Sequence, residues 1–481
     1  MSEKFPEEWL MGACPAKSLT NLDVKVSYDD FTIQRPTPGD RTSPALKGVT
    51  LYALAEDEAK RHSGAYGIGV DESSVTIAVA YIDPSRTLGS NGFSRFWQHA
   101  MAVQNDFYGL QKANDCKFGA KCNSNGARPC LFYHGRPGET RWLSKGARVL
   151  PLGLNKADEG RGVTFGEEAP SWAAVMTIRF PRRGDKVSWD SPLDAPQFSL
   201  EPITLTSVWR DRQVAKLADK TSFGDLDEPS SARDLFILKT YCEAVSGMND
   251  SSLLDEAQGI VVAGTPQFRD KKWDFDSTRD FLSLRRFLID TLTDQFNEGA
   301  AAFLATRGID AKLIGRSWTL PRDLAPHVGA AHSISQLCPL GVPIRSLTHS
   351  LSSKFVMAAP NDWQSTAAEI LYAKFNTPFR EFPSLFNMTV LTETLRGQSA
   401  PPTLSSTQWD SAARRLEELS RREAVKLAFM EQYTNKVLCV AISVDANTVV
   451  LLSTGGYRIS SPRNLRLQSG KRIQQVQVPP Q

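Results

Sequence analysis

The sequence lacks any hydrophobic run that could cross a membrane. No window of the chain approaches the roughly 20 apolar residues that a transmembrane helix needs. The first residues, MSEKFPEE, also lack the basic end and the apolar stretch of a secretory signal, since acidic side chains stand there instead. We therefore expect an intracellular, cytoplasmic protein.

The chain also lacks the common catalytic motifs. GxxxxGK[ST], HExxH and GxSxG are all absent, and YGIGVDE (66–72) has no third glycine, so it is interpreted as a turn. Asp71, Glu72 and Asp83 flank a strand-like run and could be the metal carboxylates of a nuclease, although acids at turns and strand ends are far more common. With no credible catalytic set, we expect a protein that is not an enzyme.

Cysteine and histidine are scarce, with seven and six residues in 481. In a reducing compartment an odd number of cysteines indicates free thiols or metal ligands rather than disulfides. Three of the cysteines and one histidine nevertheless fall together, with the spacing Cys116-x5-Cys122-x7-Cys130-x3-His134. Zinc prefers four thiolate and imidazole ligands in its structural sites, so this spacing predicts one bound Zn²⁺.

These four residues resemble the CCCH zinc finger family. The closing C-x3-H and the opening C-x5-C match, the latter as in the subgroup that reads polyadenosine, whereas the middle gap of seven is longer than usual there. The resemblance covers about twenty residues and implies stacking of RNA bases on exposed aromatic side chains. The residues at the matching positions, with the basic residues beside them, are Lys117, Phe118, Lys121, Arg128, Phe132, Tyr133 and Arg136.

Two alternatives to an RNA-binding finger remain open. The zinc could only staple a loop without any contact to RNA, because a structural zinc site needs no ligand besides the protein. The four residues could also be unrelated thiols and a surface histidine. Local charge favours RNA, because residues 111–150 carry eight basic and only two acidic side chains in a chain whose net charge is only +3.

A second basic zone lies at the end of the chain. Residues 446–481 carry five basic side chains and no acidic one, namely Arg458, Arg463, Arg466, Lys471 and Arg472. A loose polyanion-binding arm would explain this composition, and an ordered edge strand formed by KRIQQVQV is the alternative. We expect the arm, and with it contacts to the phosphates of single-stranded RNA.

Periodicity predicts an α+β fold with a mixed, β-rich N-terminal half and a mainly helical C-terminal half. Strand-like runs occupy residues 25–35, 48–54, 73–83, 171–180 and 198–209, and a helix with Asn91 as its N-cap follows the third run. Further helices are predicted at 232–247, at 277–308 with Gly308 as C-cap, at 361–375 and at 406–433. The predicted parts are an irregular arm (1–20), a mixed domain with the finger (21–225), a helical domain (226–435), a β-hairpin (436–456) and a basic tail (457–481).

Together these features favour a non-catalytic zinc protein that binds single-stranded RNA and associates with itself. An embedded finger and a basic tail on larger lobes are similar to a viral nucleoprotein or inner structural protein, in which case the protein would accompany the virion. A capsid or assembly subunit with a purely structural zinc and an RNA-processing enzyme are the alternatives.

Overall fold

The fold was analysed in a computed structural model of the 481-residue chain. The structure describes residues 32–37, 46–55, 64–105, 165–167, 169–210, 212–214, 230–246, 267–269, 272–274, 284–309, 311–319, 353–363, 369–379, 381–397, 404–407, 409–410, 413, 439–444, 448–453 and 458–462. None of the helices within these ranges is long and apolar enough to cross a membrane.

A curled, mixed seven-stranded sheet forms the centre of the structure. The strand order along the sheet is β5-β4-β3-β2-β1-β7, and β6 also pairs with β4. All pairs are antiparallel except β1 with β7. The strands are β1 (Val49–Ala55), β2 (Gly64–Val70), β3 (Ser74–Ile82), β4 (Ser171–Arg183), β5 (Lys186–Val187), β6 (Gln197–Ile203) and β7 (Ser207–Arg210).

The turn between β2 and β3 is fixed by a carboxylate. One oxygen of Asp71 accepts hydrogen bonds from the backbone N–H groups of Ser73 and Ser74 at 2.8 and 2.6 Å, and its other oxygen accepts from the Ser74 hydroxyl at 2.7 Å. Such side-chain-to-backbone bonds are the reason that aspartate favours tight turns. The hydrogen bond from the Ser74 hydroxyl, supported by the backbone donors, lowers the pKa of Asp71 to about 2.

Four long helices accompany the sheet. They are α1 (Pro84–Asn105), α2 (Ser231–Ser246), α3 (Leu284–Thr306) and α4 (Phe382–Leu395). Helix α1 is kinked at Gly89, which has a φ of 64°. The predicted stop at Gly308 is confirmed, since that residue adopts a φ of 60° just beyond α3 and so ends the helix in the conformation that favours glycine.

Helix α3 lies against one face of the sheet and joins the two halves of the chain in one core. The Tyr81 hydroxyl bonds to the Thr293 hydroxyl at 2.7 Å, and the rings of Tyr81 and Phe296 meet edge to face with centroids 4.8 Å apart. Phe198 on β6 contacts Phe296 and Phe303 along the same helix. The predicted boundary near residue 225 therefore does not divide the hydrophobic core.

A smaller sheet and two peripheral β-elements complete the described residues. Strands β10 (Leu313–Thr319), β11 (Ser353–Ala358) and β12 (Glu369–Ala373) form an antiparallel sheet with β10 in the middle. A hairpin of β8 (Gln267–Arg269) and β9 (Lys272–Asp274) precedes α3. Strands β13 (Cys439–Val444), β14 (Thr448–Ser453) and β15 (Arg458–Pro462) pair antiparallel near the chain end.

Buried amides tie the small sheet to the helices. The side chain of Asn387 on α4 accepts a hydrogen bond from the Ile314 backbone N–H at 2.8 Å and donates to the Ile314 carbonyl at 2.6 Å. Asn297 on α3 accepts from the Phe375 N–H at 2.8 Å, just after β12. Because buried polar groups must be paired, these bonds fix how the helices and the small sheet fit together.

The predicted α+β class is confirmed, but several predicted elements are wrong. Residues 66–72 were expected to form a turn and instead belong mostly to β2. The helix predicted at 361–375 is replaced, in its described part, by a short 3₁₀ turn (Pro360–Asp362) and by β12. Within the described residues the C-terminal half is thus less helical than expected, and residues 458–462 of the predicted tail form β15.

Two boundaries also differ from the prediction. The helix expected from Asn91 is preceded by a short helical segment that begins at Pro84 and is capped by Asp83, and the non-helical Gly89 separates the two segments. Residues 32–35 of the predicted first strand are irregular, and the Gln34 N–H donates to the Thr87 carbonyl of α1 at 2.7 Å.

Candidate functional site at the start of helix α1

Four segments converge where β3 ends and α1 begins. Asp83 follows β3 directly, and its backbone N–H donates to the Trp172 carbonyl of β4 at 2.9 Å. The end of α4 reaches the same place through Arg396, which is 313 residues away from Asp83 along the chain. Residues 34–35 run beside it, as the contacts of Gln34 and Arg35 show.

Asp83 is a fully buried carboxylate whose oxygens are all occupied. One oxygen accepts from the Ser85 N–H at 3.0 Å, the Ser85 hydroxyl at 2.9 Å and the Arg86 N–H at 3.2 Å, which is the pattern of a helix N-cap. The other oxygen forms an ion pair with the Arg396 guanidinium. A carboxylate with these partners is already neutralised, so Asp83 is suited to holding α1 in place rather than to binding a metal.

Arg396 connects α4 to α1. Besides Asp83, its guanidinium donates to the Ser85 hydroxyl and to the Glu393 carboxylate, both at 2.5 Å. The side chain is 19% exposed, against 0% for Asp83. Two carboxylates therefore share one guanidinium, and Arg396 presents no unpaired positive charge to a ligand.

Arg86, in the first turn of α1, is a basic residue whose guanidinium has no partner of opposite charge among the described residues. Its guanidinium carbon lies 4.4 Å from the ring centroid of Trp172, within the range of a cation–π interaction. Both side chains are half-buried. Among the residues that the structure describes, the guanidinium has neither a hydrogen bond nor an ion pair, and only the backbone N–H of Arg86 is engaged.

A third arginine lies beside the same strand end. The Arg35 guanidinium donates to the Pro170 carbonyl at 3.3 Å and to the Ser171 hydroxyl at 3.1 Å, next to Trp172 in the chain. Arg35 thus places a second guanidinium beside the first residues of β4.

A separate buried polar network connects β1 to α2. The Tyr52 hydroxyl donates to Asp234 at 2.6 Å, and the Arg233 guanidinium donates to the same carboxylate at 2.8 and 2.6 Å. Burial and the bond to Asp234 raise the pKa of Tyr52 well above its ordinary value. A tyrosine that is held neutral and is stacked at 3.8 Å on Trp209 serves packing, not proton transfer.

The three acids that could have formed a nuclease site do not lie together. Asp71 and Glu72 precede β3 and Asp83 follows it, and a nine-residue strand spans about 30 Å. No group of three or more His, Cys, Asp or Glu side chains that could hold a metal occurs within the described ranges.

The site predicted from the sequence falls almost entirely elsewhere. The expected zinc ligands Cys116, Cys122, Cys130 and His134 lie outside the residues that the structure describes, as do all the expected RNA-contacting residues of 117–136. Of the five basic residues near the chain end, Arg458 begins β15, and Arg463, Arg466, Lys471 and Arg472 lie outside the described part.

Sequence reasoning missed the residues around α1 for an identifiable reason. Asp83 before a proline and a serine is an N-cap signal, since proline is favoured in the first helical turn. That signal could have placed the helix start correctly. No local pattern, however, indicates that Arg396 would reach Asp83 or that Trp172 would lie beneath Arg86.

Comparison with known proteins identifies the fold. No protein-family model matches the chain, and no curated protein matches it. Among solved structures, yeast Ssd1, a pseudonuclease, matches with a TM-score of 0.51 and 12% identity over 92% of this chain and 53% of that one. This chain therefore spans about half of the length of Ssd1.

Two exoribonuclease structures match with lower TM-scores. Dss1 exoribonuclease from Candida glabrata matches with a TM-score of 0.47 and 14% identity over 95% of this chain and 55% of that one. RNase R from Mycoplasma genitalium matches with a TM-score of 0.44 and 12% identity over 95% and 67%.

These matches correct one expectation from the sequence. We expected a protein that is not an enzyme, and this was wrong as an interpretation of the fold, because the matched Ssd1 structure is that of a pseudonuclease. The fold of this chain is similar to that of the pseudonuclease Ssd1, a fold of the nuclease type.

Proposed function

We propose that this protein binds single-stranded RNA on a nuclease-type fold. The observation that carries the proposal is the fold likeness to Ssd1, a pseudonuclease, over 92% of this chain. A protein with a nuclease fold needs a surface for a polyanionic strand, and this chain concentrates positive charge in two zones of its sequence. Both features favour a nucleic acid over a protein or membrane partner.

The finger is the proposed zinc site within this function. Three thiolates from Cys116, Cys122 and Cys130 with a neutral His134 would give Zn²⁺ the donor set of a structural site. Nearby lysine and arginine residues would offset the resulting net charge of about −1 and favour the deprotonated thiols. Bound zinc would then hold Phe118, and Phe132 or Tyr133, for stacking on bases.

Titration of an unstructured single-stranded RNA at several salt concentrations tests RNA binding. Phe118→Ala should cost roughly 1–3 kcal/mol with little change in the salt dependence, because one base stack is removed. Replacing Lys121 and Arg128 by alanine should lower the slope of log affinity against log salt by about 0.7 for each phosphate that is no longer neutralised. Deleting residues 463–481 should resemble this charge variant while leaving β15 intact.

Analysis of the recovered RNA separates binding from cleavage. Labelled RNA incubated with the protein and Mg²⁺ is run on a denaturing gel after each titration. Shortened RNA would assign a ribonuclease activity, whereas intact RNA with saturable binding assigns a binding protein. Absence of binding by the parent at low salt would refute the proposal.

Elemental analysis tests the metal. The parent should contain one zinc per chain, and Cys122→Ser should lower this content toward zero. Cys14→Ser, which changes a cysteine outside the spacing, is the matched control and should leave the zinc content unchanged. A fully loaded Cys122→Ser variant would contradict the proposed ligand set.

Self-association and a role as a viral nucleoprotein or capsid subunit remain predictions from the sequence. Light scattering of the RNA-free protein tests them, because a capsid-type subunit should form large particles without nucleic acid.

A further inference from the structure

We propose that Arg86 binds a phosphate of single-stranded RNA and that Trp172 holds the Arg86 guanidinium in the orientation for binding. This site lies on the described body of the protein, apart from the zinc finger and the basic tail. The proposal rests on the RNA-binding function proposed above and assigns it a place in the fold.

The first argument is that Arg86 has no partner for its guanidinium among the described residues other than the Trp172 ring. Buried and half-buried arginines usually pair with a carboxylate, because an unpaired charge is costly to remove from water. The nearest acid in the chain, Asp83, is already paired with Arg396. The guanidinium of Arg86 therefore keeps its five N–H donors for an external acceptor.

The second argument concerns orientation. The Arg86 guanidinium carbon lies over the Trp172 ring, 4.4 Å from its centroid, so the cation–π contact restrains the position of the group without taking up its N–H donors. Planar, preoriented donors match the oxygens of a phosphodiester. The backbone of Trp172 is itself held in place, because its carbonyl accepts a hydrogen bond from the Asp83 N–H and the residue lies opposite Pro202 in the pairing of β4 with β6.

The third argument is the charge around the pair. Arg35, which donates to the Pro170 carbonyl and to the Ser171 hydroxyl, places a second guanidinium next to Trp172. A strand of RNA that contacts Arg86 would thus pass near a second arginine at residues 170–172. A polyanion gains from such neighbouring cations, whereas a neutral ligand does not.

The experiment measures the affinity of the full chain for a labelled, unstructured RNA by fluorescence anisotropy over a range of salt. Arg86→Gln should weaken binding roughly three- to tenfold at low salt and lower the salt slope by about 0.7, as expected when one phosphate is no longer neutralised. The ratio of the variant and parent dissociation constants should then fall about twofold when the salt concentration rises threefold. Trp172→Leu should weaken binding in the same direction, and Trp172→Phe, which keeps a ring under the guanidinium, should retain most of the affinity.

Arg307→Gln is the matched control. The Arg307 guanidinium also lies over an aromatic ring, 4.8 Å from the centroid of Phe303, and its side chain is exposed. Phe303 contacts Phe198 on β6, and Phe198 lies opposite Met176 on β4, four residues away from Trp172. The Arg307–Phe303 pair therefore lies at another part of the sheet. Arg307→Gln should leave both affinity and salt slope as in the parent.

The outcomes separate this inference from the proposed function. If the parent binds RNA but Arg86→Gln has the affinity and slope of the parent, the assignment of Arg86 is overturned and RNA binding stands. If the parent binds no RNA, the proposed function fails, and this assignment fails with it.

A variant that does not fold is covered by a second measurement on the parent. Circular dichroism first establishes that each variant is folded. Photo-crosslinking of the parent to RNA that contains 4-thiouridine should then label peptides that include Arg86 or Trp172. Crosslinks elsewhere but in neither peptide would overturn the assignment.

Discussion

Breaking the ion pair between Asp83 and Arg396 is expected to destabilise the protein strongly. Arg396→Met leaves the hydrophobic part of the side chain in place but removes the partner of a carboxylate that is 0% exposed. Breaking a buried pair from one side typically costs about 3–5 kcal/mol, because an uncompensated charge remains in the interior. The helix-cap donors of Ser85 and Arg86 stay bound to Asp83, so we expect the lower end, about 3 kcal/mol.

The double-mutant cycle isolates the pair from the cap. Asp83→Asn retains an oxygen for the N-cap and removes the charge, so the combined variant with Arg396→Met buries no unpaired ion. We expect the double variant to be more stable than Arg396→Met alone, with a coupling energy of about 2 kcal/mol between the two positions. The pair that α4 makes with α1 would then be an essential connection between distant parts of the chain.

Urea unfolding monitored by tryptophan fluorescence and by far-ultraviolet circular dichroism provides the free energies. Lys374→Met is the matched control, because the Lys374–Glu381 pair has an N–O distance of 2.9 Å but its side chains are 31% and 22% exposed. A pair that keeps this much contact with water contributes far less than a fully buried one, about 1 kcal/mol at most for pairs at the surface. A coupling energy below about 0.5 kcal/mol, or an Arg396→Met variant no less stable than Lys374→Met, would refute the argument from burial.

Three further predictions concern the described core and surface. The pKa of Asp71 in the folded protein is lowered to about 2 from an ordinary 3.8, so the stability that Asp71 contributes should be fully present above pH 4 and should be lost as the pH falls toward 2. Asp71→Asn should remove this part of the pH dependence of the free energy of unfolding, and an unchanged pH profile would contradict the prediction. Burial, with a smaller effect of Glu243, raises the pKa of the Cys242 thiol, so alkylation at pH 8 followed by peptide mass spectrometry should find Cys242 unmodified in the folded protein and modified in urea. Gly315→Ala should lower the free energy of unfolding by about 1–3 kcal/mol, since a Cβ there would collide with the Tyr372 carbonyl and the indole ring of Trp363, whereas Gly166→Ala, which meets nothing within 4 Å, should be nearly neutral in the same urea titration.

Several elements could be predicted from the sequence because their residues satisfy only one local pattern. Residues 73–83 are rich in β-branched side chains and contain β3. Residues 232–247 and 277–308 follow a helical period and contain most of α2 and all of α3. Gly308 ends α3 as its position predicts. In each case, local propensity and the tertiary environment favour the same structure.

Other segments satisfy two patterns, and neighbours in space decide between them. Residues 369–373 fit a helical period, but they pair with β10, where Ser317 faces Leu371, and form β12. The run 198–209 reads as one strand, yet it divides into β6 and β7, because the Leu205 and Thr206 N–H groups bond to the Gly166 and Leu51 carbonyls. Backbone groups must be paired once they are buried, and the partners lie far away in the chain.

The sequence by itself determined the cysteine and histidine spacing, the two basic zones and the α+β class, since these depend on the order of residue types alone. Only the tertiary structure decided that Arg396 neutralises Asp83 and that Arg86 lies over Trp172 without a carboxylate partner among the described residues. Asp83 and Arg396 are 313 positions apart, and Arg86 and Trp172 belong to a helix and a strand that no local pattern connects. Which charges are paired and which are available to a ligand depends on distances in space, and the packing of α4 against α1 brings Arg396 to Asp83.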